Sequence, residues 1–201
     1  MADSPSNPAR RRFLTGAATA VGAVGVGFAA VPFLSSFQPS AKAQAAGAPV
    51  DVNVGKLAPG QMTTVAWRGK PVYVVHRTER MLETLPEVTD KLRDPDSAVE
   101  SQQPAFATNL YRAREENQRF LVIVGLCTHL DSAPTYRPDV APEDLRDDWK
   151  GGFFCPCHGS KFDLSGRVYK GVPAPTNLEV PQYTYVSEQV IRVGGTEEEV
   201  A

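Results

Sequence analysis

Three patterns of apolar and polar positions succeed one another along the chain. The first is a run of twenty-five residues without a charge, Phe13 to Phe37, preceded by Arg10, Arg11 and Arg12. At 1.5 Å per residue such a run makes about 37 Å of helix, enough to cross a hydrocarbon core of about 30 Å with some tilt. Its many Gly and Ala residues, and Pro32, would weaken a helix in water but are tolerated in lipid. Residues 38–49, QPSAKAQAAGAP, are small and weakly polar with no hydrophobic face, and read as a tether. Fully extended, they span up to about 40 Å. Beyond the tether the period shortens to two. VDVNVGKL, QMTTVAWRG and KPVYVVHRT are rich in β-branched and aromatic residues and cut by Gly-containing turns, which predicts antiparallel strands. Thr78 is placed to cap a short helix through ERMLETL, ended by Pro86. DKLRDPDSAVESQQPAF is polar and irregular. RFLVIVGL is continuously apolar, a buried strand that runs straight into Cys127. The chain closes on a hairpin, Tyr183–Ser187 against Val190–Val193. These patterns describe a mainly β head behind one N-terminal helix.

Composition adds two constraints. With 22% charged and 42% hydrophobic residues, the bulk of the chain is globular rather than disordered. The net charge of −2 gives no reason to expect nucleic acid, but the charge is unevenly placed. Residues 1–50 hold four basic residues against Asp3, whereas the remainder holds seventeen basic and twenty-two acidic residues. A basic tip before an apolar span keeps that end in the cytoplasm and sends the rest across the membrane. RRRFL also fits the twin-arginine export pattern, Arg10-Arg11-x-Phe13-Leu14, a route for proteins that fold before export. Cleavage within AKAQA is the competing reading; the length of the apolar run favours a retained anchor.

The candidate chemistry is confined to two short groups. All three cysteines and two of the three histidines lie in Cys127-Thr-His129 and Cys155-Pro-Cys157-His158. His76, alone in an alternating strand, reads as a structural histidine. C-x-H followed by C-x-x-H offers two thiolates and two imidazoles on two turn-rich loops, a donor set for a metal. GGFFCPCHGS carries too many turn residues for a core strand. Two readings stay open on these residues alone: structural zinc with two Cys and two His ligands, or a two-iron two-sulfur cluster with cysteines on one iron and histidines on the other.

CTHL and CPCHGS resemble the two cluster-binding boxes of the Rieske iron–sulfur proteins. The resemblance extends through GGFFCPCHGSKFDLSGRVYKGVPAPTNLEVP, the arginine-led anchor, the tether and SQQPAF. It covers nearly the whole chain and points to the Rieske subunits of proteobacterial ubiquinol–cytochrome c reductases. It implies an antiparallel-sheet domain with a small cluster-binding subdomain at about 125–178, behind one transmembrane helix. The divisions it suggests are a cytoplasmic twin-arginine region (1–12), an anchor (13–37), a hinge (38–49) and a Rieske domain (50–201). It implies one 2Fe-2S cluster, held by Cys127 and Cys155 on the inner iron and by His129 and His158 on the outer. Ser160 would donate to a bridging sulfide, and Gly171–Pro175 would cover the cluster. His158 and His129 would hydrogen-bond ubiquinol and couple proton to electron transfer. Leu130 would help the tip dock onto cytochrome b. The implied partners are cytochrome b and a membrane c-type cytochrome in a dimeric complex of the bacterial inner membrane, with the cluster domain periplasmic.

This chain departs from the family pattern at three positions. The usual first box, C-T-H-L-G-C, here reads CTHLDS, so Asp131 replaces Gly and Ser132 replaces the cysteine that pairs with the middle cysteine of the second box. Cys157 therefore has no disulfide partner. Phe162 stands where many relatives have a tyrosine that donates to a ligand sulfur. A bridge over such a loop is worth about 2–4 kcal/mol, and its loss predicts a less robust cluster with a lower potential. Asp131 puts a carboxylate beside the quinol-facing histidines, either as an electrostatic or proton-accepting group or as an inert surface charge. Two other functions compete: a Rieske carrier for another exported oxidoreductase, such as arsenite oxidase, and a zinc-binding structural domain.

Overall fold

In the computed structural model, which describes residues 7–40, 47–145 and 148–195, the chain divides into units 1–45 and 46–201. The first carries helix α1 (Pro8–Ser36). It begins before the uncharged run because Asn7 and Pro8 form a start signal. The Asn7 side chain accepts from the backbone of Ala9 and Arg10, and Pro8 fills a position whose N–H would be unbonded. The helix is long and apolar enough to cross a membrane, and none of its residues is buried in the protein. Of the expected tether, residues 41–46 lie outside the described residues, as do residues 1–6 and Asp147.

The second unit holds three antiparallel sheets of three strands each. In the first, β1 (Val50–Asn53) pairs with β9 (Val190–Val193), which pairs with β8 (Tyr183–Ser187). The hairpin has the limits its alternation predicts. Arg192 clamps β1 to β9 through both carboxylate oxygens of Asp51, at 2.6 and 2.8 Å, which holds that carboxyl below its usual range. In the second sheet, β2 (Met62–Trp67), β3 (Lys70–His76) and β4 (Phe120–Val124) lie in order. Arg68 and Gly69, both with positive φ, make the two-residue turn whose twist suits a tight hairpin. Every residue of β4 is buried, as its continuous apolar run requires. Thr78 caps the short helix α2 (Glu79–Glu83), and Pro86 opens a 3₁₀ segment, Pro86–Lys91, rather than ending helical structure.

The third sheet corrects the reading of GGFFCPCHGS as too turn-rich for a strand. That segment supplies β6 (Gly152–Cys155) and β7 (Ser160–Phe162), a hairpin with the second Cys/His group as its loop. Phe153 and Phe162 oppose each other in the register and are fully buried, so two aromatic anchors outweigh the glycines. Gly152 is needed here, since a Cβ would run into the Phe162 carbonyl. The expected loop between the Cys/His groups contains one more strand, β5 (Thr135–Arg137), paired to β6. Pro134 and Pro138 bracket it and limit it to three residues.

Tyr73 joins the second and third sheets. Its ring stacks on Phe153 at 6.2 Å and its hydroxyl donates to the Pro134 carbonyl. Gly125 sits so close to that ring that any side chain would strike it, which lets the chain pass from β4 to Cys127 under the tyrosine.

A buried charged network fixes the irregular segment to the turn after β7. Asp163 accepts from Arg167 Nε at 2.8 Å and from the backbone of Ser165 and Arg167. Arg167 also donates to the Leu85 and Pro95 carbonyls. Arg77 donates to the carbonyls of Tyr111, Leu164 and Gln118, and Arg112 to those of Ser165 and Gln102. Burial pushes both guanidinium groups down to about 10, partly offset by Tyr183 and Asp163 at Arg77 and by Asp163 and Asp94 at Arg112. Both stay charged at neutral pH. The Gln102 carbonyl also accepts from Val180, so the SQQPAF stretch is a structural seam.

Removing one partner of a buried, hydrogen-bonded pair leaves a charge uncompensated. Asp163→Ala should therefore lower unfolding free energy by about 3–5 kcal/mol in urea denaturation. A loss below about 1 kcal/mol would mean that the carbonyls alone satisfy Arg167.

Candidate metal centre

Two strand ends deliver the two sulfurs. Cys127 lies just past β4, and Cys155 is the last residue of β6. Each is almost fully buried, at 0% and 1% exposure. The first loop closes on itself through Cys127 N to the Ser132 carbonyl at 2.8 Å and Asp131 N to the Cys127 carbonyl at 2.9 Å. The second closes through Gly159 N to the Cys155 carbonyl at 2.9 Å, with Gly159 at φ 74°. Asp131 adopts φ 56°, the left-handed region. Aspartate is one of the few side chains that tolerate it, which is how this chain makes a turn normally given to glycine.

The imidazoles form the outer pair. His129 is half-buried and His158 exposed, and their rings lie edge to face with centroids 4.8 Å apart. Leu130 beside them is 66% exposed. A third loop closes the flank. Ser160 accepts from the Ala174 backbone at 3.1 Å, and Thr128 donates to the Thr176 carbonyl at 2.8 Å. Arg93 donates to the carbonyls of Ala174 and Val172. The segment Gly171–Thr176 is therefore bound to the first Cys/His loop at Thr128 and to the start of β7 at Ser160.

The surroundings of the sulfurs are rich in donors. Burial pushes the Cys127 thiol up against hydrogen bonds from the His129 backbone and the Ser160 hydroxyl. Burial would also raise the Cys155 thiol, yet the Ser132 hydroxyl, the backbone of Cys157 and His158, and Cys127 together bring it below its ordinary value. Such N–H and O–H groups directed at sulfur suit thiolates bound to iron. The donors come as a buried sulfur pair and an outer imidazole pair, a set that fits a centre of two irons with two ligands on each.

The residues predicted from sequence fall together here: Cys127, His129, Cys155, His158 and Ser160. Cys157 is exposed, none of the three cysteines is bridged, and Ser132 faces Cys155. His76 stands apart; its Nδ1 is 2.6 Å from the Leu57 carbonyl and its ring packs on Phe120, a satisfied structural histidine. Sequence reading missed Thr128 and Arg93, whose partners are backbone carbonyls and leave no pattern in the chain. It read Ser132 only as an absent cysteine.

Comparison with known proteins agrees with this geometry. Residues 87–184 match the family model described as the Rieske [2Fe-2S] domain, and residues 1–40 match the ubiquitinol-cytochrome C reductase Fe-S subunit TAT signal. A protein of Allochromatium vinosum is 53% identical over 94% of this chain and 89% of its own length. Those of Blastochloris viridis and Bradyrhizobium diazoefficiens are 42% and 41% identical, each over 96% of this chain and 98% of theirs. All three are named ubiquinol-cytochrome c reductase iron-sulfur subunit.

Iron and acid-labile sulfide assays on anaerobically reconstituted protein should return two of each per chain, matching a 2Fe-2S centre. Cys127→Ser and Cys155→Ser should lose both, and Cys157→Ser should keep both. Loss of iron from the Cys157 variant would give that residue a part in binding.

Proposed function

The chain belongs to the Rieske iron–sulfur subunits of ubiquinol–cytochrome c reductase, a subunit of an oxidoreductase complex, and from this premise we propose that its head takes an electron and a proton from ubiquinol and passes the electron to a membrane c-type cytochrome. When bound, the Rieske-type cluster supplies a one-electron acceptor that, counted with its thiolates, goes from neutral to one negative charge. Cys127 and Cys155 would hold it from the buried side, and His129 and His158 from the exposed side. An imidazole nitrogen not engaged by metal would accept a hydrogen bond from the quinol hydroxyl and take its proton. Ser160 and the loop Gly171–Pro175 keep water from the inner sulfurs. Leu130, apolar and exposed at the same tip, supplies docking surface for cytochrome b.

The observation that carries this reading is the sorting of donors by depth: sulfurs sealed within, imidazoles presented to a partner. A proton-coupled donor site needs that order. The export signal and apolar helix fit a membrane-anchored subunit. The divisions follow the sequence: region 1–12 in the cytoplasm, anchor 13–37, hinge 38–49 and head 50–201 in the periplasm. Arg10–Arg12 set that orientation, and the hinge gives the head its reach between cytochrome b and the c-type cytochrome of a dimeric inner-membrane complex.

A redox titration of the purified protein at several pH values tests the proposal. The midpoint should fall as pH rises from neutral to alkaline, by up to about 59 mV per pH unit for one proton per electron. A strongly negative midpoint that ignores pH would sink the reading in favour of a plain electron carrier for another oxidoreductase.

A further inference from the structure

The Ser132 hydroxyl lies 3.1 Å from Cys155 Sγ, across the gap between the two Cys/His loops. Its own loop holds it there, because the Ser132 carbonyl accepts from Cys127 N at 2.8 Å. One residue thus touches both ligand cysteines, one by backbone and one by side chain. A thiolate bound to iron carries no proton, so between these two atoms only the hydroxyl can donate. The Ser160 hydroxyl is directed at the other sulfur, that of Cys127, and Phe162, buried opposite Phe153, carries no hydroxyl.

We infer that Ser132 is a positioning residue which ties the two loops by donating to the Cys155 thiolate and, through that bond, sets the potential of the centre. The inference rests on the reading of Cys155 as a cluster ligand. A donor to a ligand sulfur stabilises negative charge on it, and more negative charge resides there once the centre is reduced. The bond therefore favours the reduced form and raises the potential. It also places in this loop a tie that needs no oxidant. The residue at 132 faces inward to a ligand sulfur, not outward to Cys157, which is exposed.

The test is a redox titration of the full-length protein, followed by electron paramagnetic resonance, with Ser132→Ala, Ser132→Thr and Ser132→Val. Alanine and valine should lower the ratio of reduced to oxidised centre about tenfold at fixed ambient potential, equivalent to about 59 mV for a one-electron couple. Threonine keeps the hydroxyl and should titrate with the unaltered protein. If alanine and valine lose the centre while threonine retains it, the hydroxyl is assigned the tie directly. Equal potentials in the alanine and unaltered proteins, or loss of the centre from all three variants alike, overturn the inference. A missing signal in the unaltered protein would instead overturn the cluster reading itself, so the two failures are distinct.

Discussion

The site depends on bringing two sulfurs from different sheets together in a space closed to water. Neither strand does this alone. β4 carries the chain beneath the Tyr73 ring, where only glycine fits at position 125, and releases it at Cys127. β6 ends at Cys155, held in register by Phe153 opposite Phe162. Tyr73 spans the two, stacked on Phe153 and bonded to Pro134. The same aromatic contact that joins the sheets therefore helps set the spacing of the two cysteines. Burying the two sulfurs in apolar surroundings would be costly unless hydrogen bonds and metal offset it, and the loops aim backbone N–H groups at them for that reason.

The buried arginines are the second layer of support. Arg77, Arg112 and Arg167 are fully buried, and Asp163 is the one buried acidic side chain among the described residues. Most of their donors go to backbone carbonyls of segments with little regular structure, between Leu85 and Gln118 and between Leu164 and Gly166. A guanidinium suits this task because its planar fork spreads five donors over three nitrogens in fixed directions, where a lysine has three on a single nitrogen. The polar, irregular stretch that precedes β4 is thereby converted into a rigid wall. From it Arg93 reaches the carbonyls of Ala174 and Val172 and holds the loop that covers the sulfurs.

What the sequence made legible follows from where its signals are strong. The terminal hairpin, the buried run of β4 and the charge-free helix are long or regular enough to reveal their period. The two Cys/His groups are legible because metal donors are scarce and were concentrated. β5, β6 and β7 were not legible. β5 is three residues between prolines, β6 begins in glycines whose use, close approach to the Phe162 carbonyl, exists only in the folded state, and β7 is three residues paired to β6. The roles of Arg93 and Thr128 were equally hidden, since a side chain that serves a distant carbonyl obeys no local pattern. Asp131 and Ser132 were visible as departures, but departures are defined by what is lost. Only the fold displays what each does in its own right: a left-handed turn residue, and a hydroxyl against sulfur.

Loops joined by hydrogen bonds and not by a disulfide place their stability in the folded state. A disulfide acts mainly by restricting the unfolded chain, worth about 2–4 kcal/mol for a loop of ordinary length. Ser132 to Cys155 joins the two Cys/His loops directly, and Thr128 to Thr176 and Ala174 to Ser160 tie both sides to the covering segment. At about 0.5–1.5 kcal/mol each, their combined contribution is of the same order as one bridge. They act only in the folded state and leave the unfolded chain unrestricted. The native loops can thus hold the same closed arrangement while the chain has more entropy to regain on opening. A centre built in this way depends more on its metal to stay shut. The match of residues 1–40 to a TAT signal model suits that dependence, because a route for folded proteins lets metal bind before the chain crosses a membrane.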